Sequence, residues 1–172
     1  MPDSCQCVVC LELDSGDRRT IEHINEYGWS VVMIPEDDAG PGWAFTVGLR
    51  HSFDSPEIAM FGLDVELMRS CLNTLGAEIA AGHLARADQR RDDVLEERLV
   101  MLKTIDASWH STLFGTALRF YQCPPLPFLQ LFWPDGQNRF PWDEGYTLGE
   151  LQPSLWIPKA EHPAGSWTQL PS

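Results

Sequence analysis

The sequence lacks four short motifs that mark common catalytic or nucleotide-binding sites. It has no Gly-x-Gly-x-x-Gly turn after a strand, no phosphate-binding loop, no Gly-x-Ser-x-Gly elbow and no His-Glu-x-x-His pair. No apolar run approaches the roughly 20 residues that a transmembrane helix needs. The N-terminus shows neither the basic nor the apolar part of a secretory signal. These absences predict a cytoplasmic protein and exclude no particular chemistry beyond those motifs.

Basic residues are scarce. The chain has 12 Lys and Arg against 25 Asp and Glu, which gives a net charge of −13. The excess of acidic residues is greatest in the first 64 residues, which contain 12 acidic residues and three arginines. Attraction to phosphate needs a basic face, so this charge argues against a nucleic acid or an anionic membrane as partner. It indicates a solvated acidic surface, or steering toward a basic protein partner.

Cysteine is present in an odd number, five, which argues against a disulfide framework. Cys5, Cys7 and Cys10 lie within six residues, and thiolates at such spacing can bind one soft ion such as zinc or cycle between dithiol and disulfide. Structural zinc is usually held by four ligands, and no second Cys-x-x-Cys follows. We therefore expect weak metal binding or none, unless folding brings in a fourth ligand from His23, Cys71, Cys123 or another histidine.

The hydrophobic spacing predicts five strands, at residues 29–34, 43–49, 57–61, 99–105 and 128–133. Helices are predicted at 65–81, with Asp64 as its N-cap, and at 109–122. A short helix is predicted between Asp17, as its N-cap, and Gly28, at its C′ position. Residues 50–56 are predicted as a loop, and residues 83–97 as a surface loop or a solvated helix. We expect an α+β fold with one largely antiparallel mixed sheet and two or three packed helices. The expected organisation is a cysteine-containing segment at 1–16, one globular domain at 17–151 and an extended tail at 152–172.

Two phrases, residues 42–49 and 132–143, combine large aromatic residues with glycine, proline and small polar groups. Thr46 lies on a predicted strand, and a buried hydroxyl needs a partner, either backbone or ligand. A histidine such as His51, oriented by a carboxylate, acts as a general base or metal ligand, although a loop histidine is also often a surface residue. The candidate ligand pocket comprises Trp43, Thr46, His51, Glu57, Trp133, Asp135, Arg139 and Trp142; no catalytic residue is assigned.

The second phrase has structural alternatives. Turn chemistry alone explains Asp135 in its Pro-Asp-Gly sequence. Arg139 pairs either with Asp135 or Asp143, or with the carboxylate or phosphate of a ligand. Trp133 and Trp142 stack on a planar ligand or fasten the C-terminal segment to the core.

These phrases and their surroundings resemble the bacterial family catalogued as domain of unknown function 4262. The matching pieces stand in order over most of residues 20–145: 27–29, 43–49, His51, 55–58, 61–63, 72–73, 130–135 and 140–142. The resemblance implies a shared fold and no activity. The order of elements is also similar to that of the flavin-reductase-like split barrel, which implies a possible site for flavin mononucleotide.

Two classes of function remain open. The first is a non-catalytic binding module for a protein partner or small ligand, for example an immunity-type inhibitor of a basic toxin domain; the acidic charge and the missing motifs favour it. The alternative is a flavin- or metal-dependent enzyme with a pocket formed by residues 42–57 and 130–143, and with flavin or zinc as cofactor.

Overall fold

The central element is an open sheet of six strands. The computed structural model describes Cys7, Val9, residues 18–122 and residues 126–171. The strands, numbered along the chain from β1 to β6, are Ser30–Ile34, Trp43–Val47, Glu57–Phe61, Arg90–Leu95, Arg98–Thr104 and Phe128–Phe132. Their spatial order is β1-β2-β3-β6-β5-β4, and neighbours are antiparallel except β3 and β6, which are parallel. The mixed sheet does not close into a barrel, and it confirms the α+β prediction.

Short helices surround this sheet. The helices α1 to α5 are Arg18–Tyr27, Leu49–Phe53, Val65–Ala80, His110–Leu113 and Gly115–Tyr121, with 3₁₀ turns at Ala107–Trp109 and Ser166–Gln169. The longest, α3, begins where the Asp64 carboxylate accepts hydrogen bonds from the backbone N–H groups of Glu66 and Leu67. This is the N-cap arrangement that the sequence predicted. Within the described ranges, no helix combines the length and apolarity needed to cross a bilayer.

The two faces of the sheet carry separate apolar clusters. On one face, the buried side of α3 packs through Met68, Leu72 and Leu75 against strand residues such as Met60. On the other face, α1, α4 and α5 pack with the C-terminal segment, whose Leu155 and Trp167 are buried in the same cluster. Each helix therefore covers a sheet face with its apolar side, as the 3- and 4-residue spacing of its apolar residues requires.

All five predicted strands are present and share one sheet, but three local predictions were wrong. Residues 90–95, expected as loop or solvated helix, form the edge strand β4, whose polar sequence and bulge hide the period-two pattern. The helix predicted at 109–122 is interrupted at Phe114, where the backbone leaves the helical region. The predicted loop after β2 contains the short helix α2. The N-cap role of Asp17 and the thiols of Cys5, Cys10 and Cys123 lie outside the described residues.

Leu72 tests the packing of α3. Its side chain is fully buried between helix and sheet, so we expect Leu72→Ala to lower the free energy of unfolding by about 2–5 kcal/mol through lost burial and a residual cavity. Leu67, on the same helix but 42% exposed, is the matched control, and Leu67→Ala should cost at most about 1 kcal/mol. Urea unfolding of both variants checks this; equal losses would mean that the buried face of α3 is assigned wrongly.

Candidate functional site

The first aromatic phrase surrounds a buried carboxylate. Glu57 begins β3 and is 0% exposed. One of its carboxylate oxygens accepts hydrogen bonds from the Tyr121 hydroxyl and from the backbone N–H groups of Gly48, at 2.9 Å, and Arg50, at 3.2 Å. The other oxygen accepts from the Thr46 hydroxyl at 2.6 Å. The cluster therefore joins β2, β3, the start of α2 and the end of α5 through one side chain.

The donors around Glu57 are neutral. Burial raises the pKa of its carboxyl group, while the hydrogen bonds from Thr46, Tyr121 and the two backbone amides oppose this rise. Burial and the adjacent Glu57 carboxylate also raise the pKa of Tyr121. Among the described ion pairs none involves Glu57. Because four donors occupy the carboxylate and no part of it is exposed, Glu57 is suited to hold the fold together and not to act on an external substrate.

Gly48 makes this arrangement possible. Its φ of 113° lies in the region that favours glycine. A Cβ atom at this position would stand 2.8 Å from a side-chain carbon of Ile24 and 2.9 Å from the carbonyl oxygen of Gly28. Without a side chain, the backbone can turn at Gly48, directly after the end of β2. The Gly48 N–H group is then directed toward both the Glu57 carboxylate and the Tyr121 hydroxyl oxygen. The Thr-Val-Gly-Leu sequence is thus explained by the geometry of the buried cluster.

His51 lies beside this cluster, on α2. Its backbone N–H donates to the Tyr121 oxygen at 3.4 Å, so Thr46, His51 and Glu57 are brought into one region. The imidazole points elsewhere: its Nδ1 lies 3.2 Å from the sulfur of Cys7, and its ring meets Phe120 edge-on. Burial lowers the pKa of His51. The structure thus places the side chain of His51 against the Cys7 thiol.

Asp135 and Arg139 of the second phrase bond to each other. Asp135 is 1% exposed, and the Arg139 guanidinium donates to it at 3.0 Å. The backbone N–H groups of Gln137 and Arg139 and the Thr147 hydroxyl donate to the same carboxylate. Burial by itself raises the pKa of Asp135, but the backbone amides of Arg139 and Gln137 and the side chains of Thr147 and Arg139 together lower it to about 2. This carboxylate organises the turn.

The three tryptophans predicted for the pocket lie in different places. The Trp43 indole donates to the carbonyl of Leu113, in the cluster on the α5 face of the sheet. Trp133 belongs to the cluster on the α3 face, and its indole donates to the carbonyl of Phe61. Trp142 stacks on Phe140 at a third position. The eight predicted residues are therefore spread over both faces of the sheet, and their role in ligand binding stays a prediction.

A groove along the edge strand β1 was not predicted from the sequence. Its volume is about 680 Å³. The walls come from α1 on one side and α3 on the other, with β1 between them; the lining residues are Arg19, Thr20, His23, Tyr27, residues 29–33, Arg69 and Asn73. The Trp29 indole is part of this lining and donates to the Asn73 side-chain oxygen at 3.0 Å. It also rests on Gly76, where any Cβ atom would stand 2.4 Å from the ring. In the sequence, the close approach of the Trp29 ring to α3 was indicated only by the presence of a glycine inside that helix.

The register of the sheet shows which groups of β1 face the groove. The Gly62 N–H donates to the Gly42 carbonyl, so the even-numbered residues at this end of β2 face β3. Main-chain groups alternate sides along an antiparallel strand, so the odd-numbered residues of β2 and their partners, Ser30, Val32 and Ile34, bond to each other. The amide and carbonyl groups of Val31 and Met33 therefore point away from the sheet, toward the groove.

The chain matches a family model described as "Domain of unknown function (DUF4262)" over residues 23–147. The match begins within α1 and continues through all six strands to the turn held by Asp135. Neither a curated protein nor a solved structure matches the chain.

The buried carboxylate gives a pH-dependent prediction. Since the folded-state pKa of Glu57 is raised above the unfolded value of about 4.3, the folded state binds more protons, and the stability contributed by Glu57 falls as pH rises through the folded pKa. Glu57→Gln removes this titration. We therefore expect the free energy of unfolding of the variant, measured relative to that of the parent, to increase as the pH is raised from about 4.3 to 7. Urea unfolding at both pH values measures the difference.

Glu57→Leu is the control for the hydrogen bonds themselves. It leaves the Thr46 and Tyr121 hydroxyls and the Gly48 and Arg50 amides without their acceptor, and should cost about 3 kcal/mol or more at either pH. A parent protein that gains stability over Glu57→Gln as the pH rises would contradict the assigned direction of the Glu57 pKa.

Proposed function

The chain belongs to the family of domain of unknown function 4262, and because that description names no activity, we propose a function from the geometry: a non-catalytic binding module that takes an extended, acidic segment of a protein partner as an added strand beside β1. The observation that carries this proposal is the groove lined by β1, whose outer edge pairs with no strand among the described residues. The amide and carbonyl groups of Val31 and Met33 supply the main-chain hydrogen bonds that an added strand uses.

The walls of the groove suit one strand. The helices α1 and α3 pack on opposite faces of the sheet, and both reach past β1 to line the groove. An edge strand is ordinarily protected by charge, proline or a covering element. Here the strand sequence Ser-Val-Val-Met-Ile contains neither charge nor proline. Tyr27, 59% exposed, and Met33, 36% exposed, add apolar surface at which side chains of the partner strand can pack.

The charge of the groove defines the chemistry of the partner. Arg19, Arg69 and His23 line it, and no carboxylate does among the described residues, although the whole chain carries −13. Arg69 pairs with Glu66 at 2.7 Å, but both side chains are at least half exposed, so that pair is weak and can be replaced by a partner carboxylate. Overall charge had suggested a basic partner; the local charge at this groove favours an acidic one instead.

Binding is better supported than catalysis because the buried carboxylates of Glu57 and Asp135 are already fully engaged. Glu57 is enclosed by four donors, and Asp135 is held by Arg139 and its own turn. A cytoplasmic location is part of the same proposal. Cys71 forms no disulfide within the described part of the chain, as is usual in a reducing compartment.

The test uses a pair of fluorescent eight-residue peptides. One alternates Val and Thr with Glu, and its counterpart carries Lys at every Glu position. We expect saturable binding of the acidic peptide and at least tenfold weaker binding of the basic one, a difference of about 1.4 kcal/mol. Arg69→Glu should weaken binding of the acidic peptide at least about tenfold, because it places a repelling charge in the groove wall. Fluorescence anisotropy measures the three dissociation constants.

The matched control is Arg90→Glu. Arg90 is an exposed arginine on β4, the opposite edge of the same sheet, and its reversal changes the net charge equally without touching the groove. Amide hydrogen exchange tests where the peptide binds: the N–H groups of Val31 and Met33 should become protected from exchange when peptide is bound. No saturable binding, equal losses in the two arginine variants, or unchanged exchange at Val31 and Met33 would each refute the proposal.

A further inference from the structure

Two tryptophan rings form a corner beside β5, and a cation lies against both of them. The rings of Trp142 and Trp156 are inclined at 77°, with their centres 5.5 Å apart. The Nζ atom of Lys103 lies 4.5 Å from the centre of the Trp142 ring and 5.0 Å from that of Trp156. Both distances are within the roughly 6 Å over which an aromatic face attracts a cation. The corner is therefore a two-walled aromatic cage, filled by a side chain of the same protein.

The neighbours of this cage hold its walls in place. Phe132 is fully buried and meets both indoles edge-on, with its ring centre 5.2 Å from that of Trp142 and 5.4 Å from that of Trp156. Phe140 stacks on Trp142 with the two ring planes inclined at only 3°. The indoles themselves are partly buried and so keep some contact with solvent. Because the rings are already ordered, a ligand that reaches the cage does not have to order them on binding.

Lys103 is poorly matched to the cage that it fills. An ammonium group carries three N–H donors and is strongly hydrated in water. Only 25% of the Lys103 side chain is exposed, and its one ion pair in the described part of the chain, with Asp88, spans 4.0 Å. That separation is too long for a hydrogen bond. The Asp88 side chain is 83% exposed, so the pair contributes little. The cage thus removes water from the ammonium group without replacing its hydrogen bonds.

We propose that the cage binds a quaternary ammonium group, which enters by displacing Lys103. A trimethylammonium group has no N–H donor to satisfy, and its methyl groups pack on the indole faces while its charge meets their negative electron density. The stem of Lys103 is flexible, so its ammonium group can move into solvent. The net charge of −13 favours a cationic ligand. The cage lies at β5, near the opposite end of the sheet from β1, and this inference is independent of the proposed peptide groove.

The first experiment measures the binding of choline to the full chain by isothermal titration calorimetry. We expect saturable binding of choline, and at least about tenfold weaker binding of the neutral alcohol in which carbon replaces the choline nitrogen. Trp142→Leu and Trp156→Leu should each weaken choline binding at least about tenfold, with circular dichroism as the check on folding. Equal affinities of the parent for choline and the neutral alcohol, or no saturable binding of choline, would overturn the proposal without the need for any variant.

Lys103→Met tests the displacement itself. Methionine keeps an unbranched apolar stem without the competing charge, so choline should bind at least about threefold more tightly to this variant than to the parent. Lys159→Met is the matched control. Lys159 lies 6.0 Å from the centre of the single Trp109 ring and donates to Thr112, outside the cage, so its replacement should leave the affinity for choline unchanged. Unchanged or weaker binding by Lys103→Met would overturn the exchange of Lys103 for the ligand.

Nuclear magnetic resonance follows Lys103 directly. The ring currents of the two indoles should shift its ε-methylene protons upfield, and choline should move these resonances toward the values of an exposed lysine. Resonances that stay unchanged at saturating choline would contradict the displacement. Vesicles of phosphatidylcholine distinguish the two sources of the ligand group. Cosedimentation that choline abolishes would assign the group to a lipid headgroup, and choline binding without cosedimentation would assign it to a free small molecule.

Discussion

The architecture depends on satisfying one carboxylate in the interior. Glu57 has no charged partner among the described residues, and it is stable there only because hydroxyls and amides from β2, α2 and α5 converge on it. That requirement fixes the positive φ of Gly48, the early end of β2 and the position of Tyr121 against the sheet. Half-satisfied polar networks are costly in a low-dielectric interior, so these elements are mutually dependent. The most distinctive short motif of the chain is therefore explained by folding, without a substrate.

Apolar residues were sufficient to predict five of the six strands and α3, because α3 buries one side and the central strands β3 and β6 are buried on both faces. β4 was not predictable in this way, since five of its six side chains are not buried and a bulge breaks its register. The interruption of the helix at Phe114 could not be predicted either, because the helical spacing of apolar residues in 109–122 continues across it. Parallel pairing of β3 with β6 is a long-range property, and no local pattern of either strand distinguishes it from antiparallel pairing.

The site was less predictable than the fold. Thr46, His51 and Glu57 were chosen as polar groups near a motif and do lie together, but their partner Tyr121 is 64 residues from Glu57 in the chain. The groove at β1 combines residues from α1, β1 and α3 that share no motif; only the fold places them side by side. Similarly, the thiol of Cys7 and the imidazole of His51 are 44 residues apart. Chemistry that arises from such distant residues requires the tertiary structure.

The parallel pairing of β3 and β6 has a consequence for biosynthesis. Glu57 pairs with Phe128, so the middle of the sheet joins segments separated by about 70 residues, and a long loop must close before it forms. At synthesis rates of about 5–20 residues per second, β3 waits roughly 4–14 s for β6 to be made. During that interval its Ile-Ala-Met-Phe edge, which is fully buried in the finished protein, faces solvent and neighbouring chains. A nascent or truncated chain that ends before residue 128 thus presents an apolar, unpaired strand, which is the kind of surface on which aggregation begins and which chaperones bind.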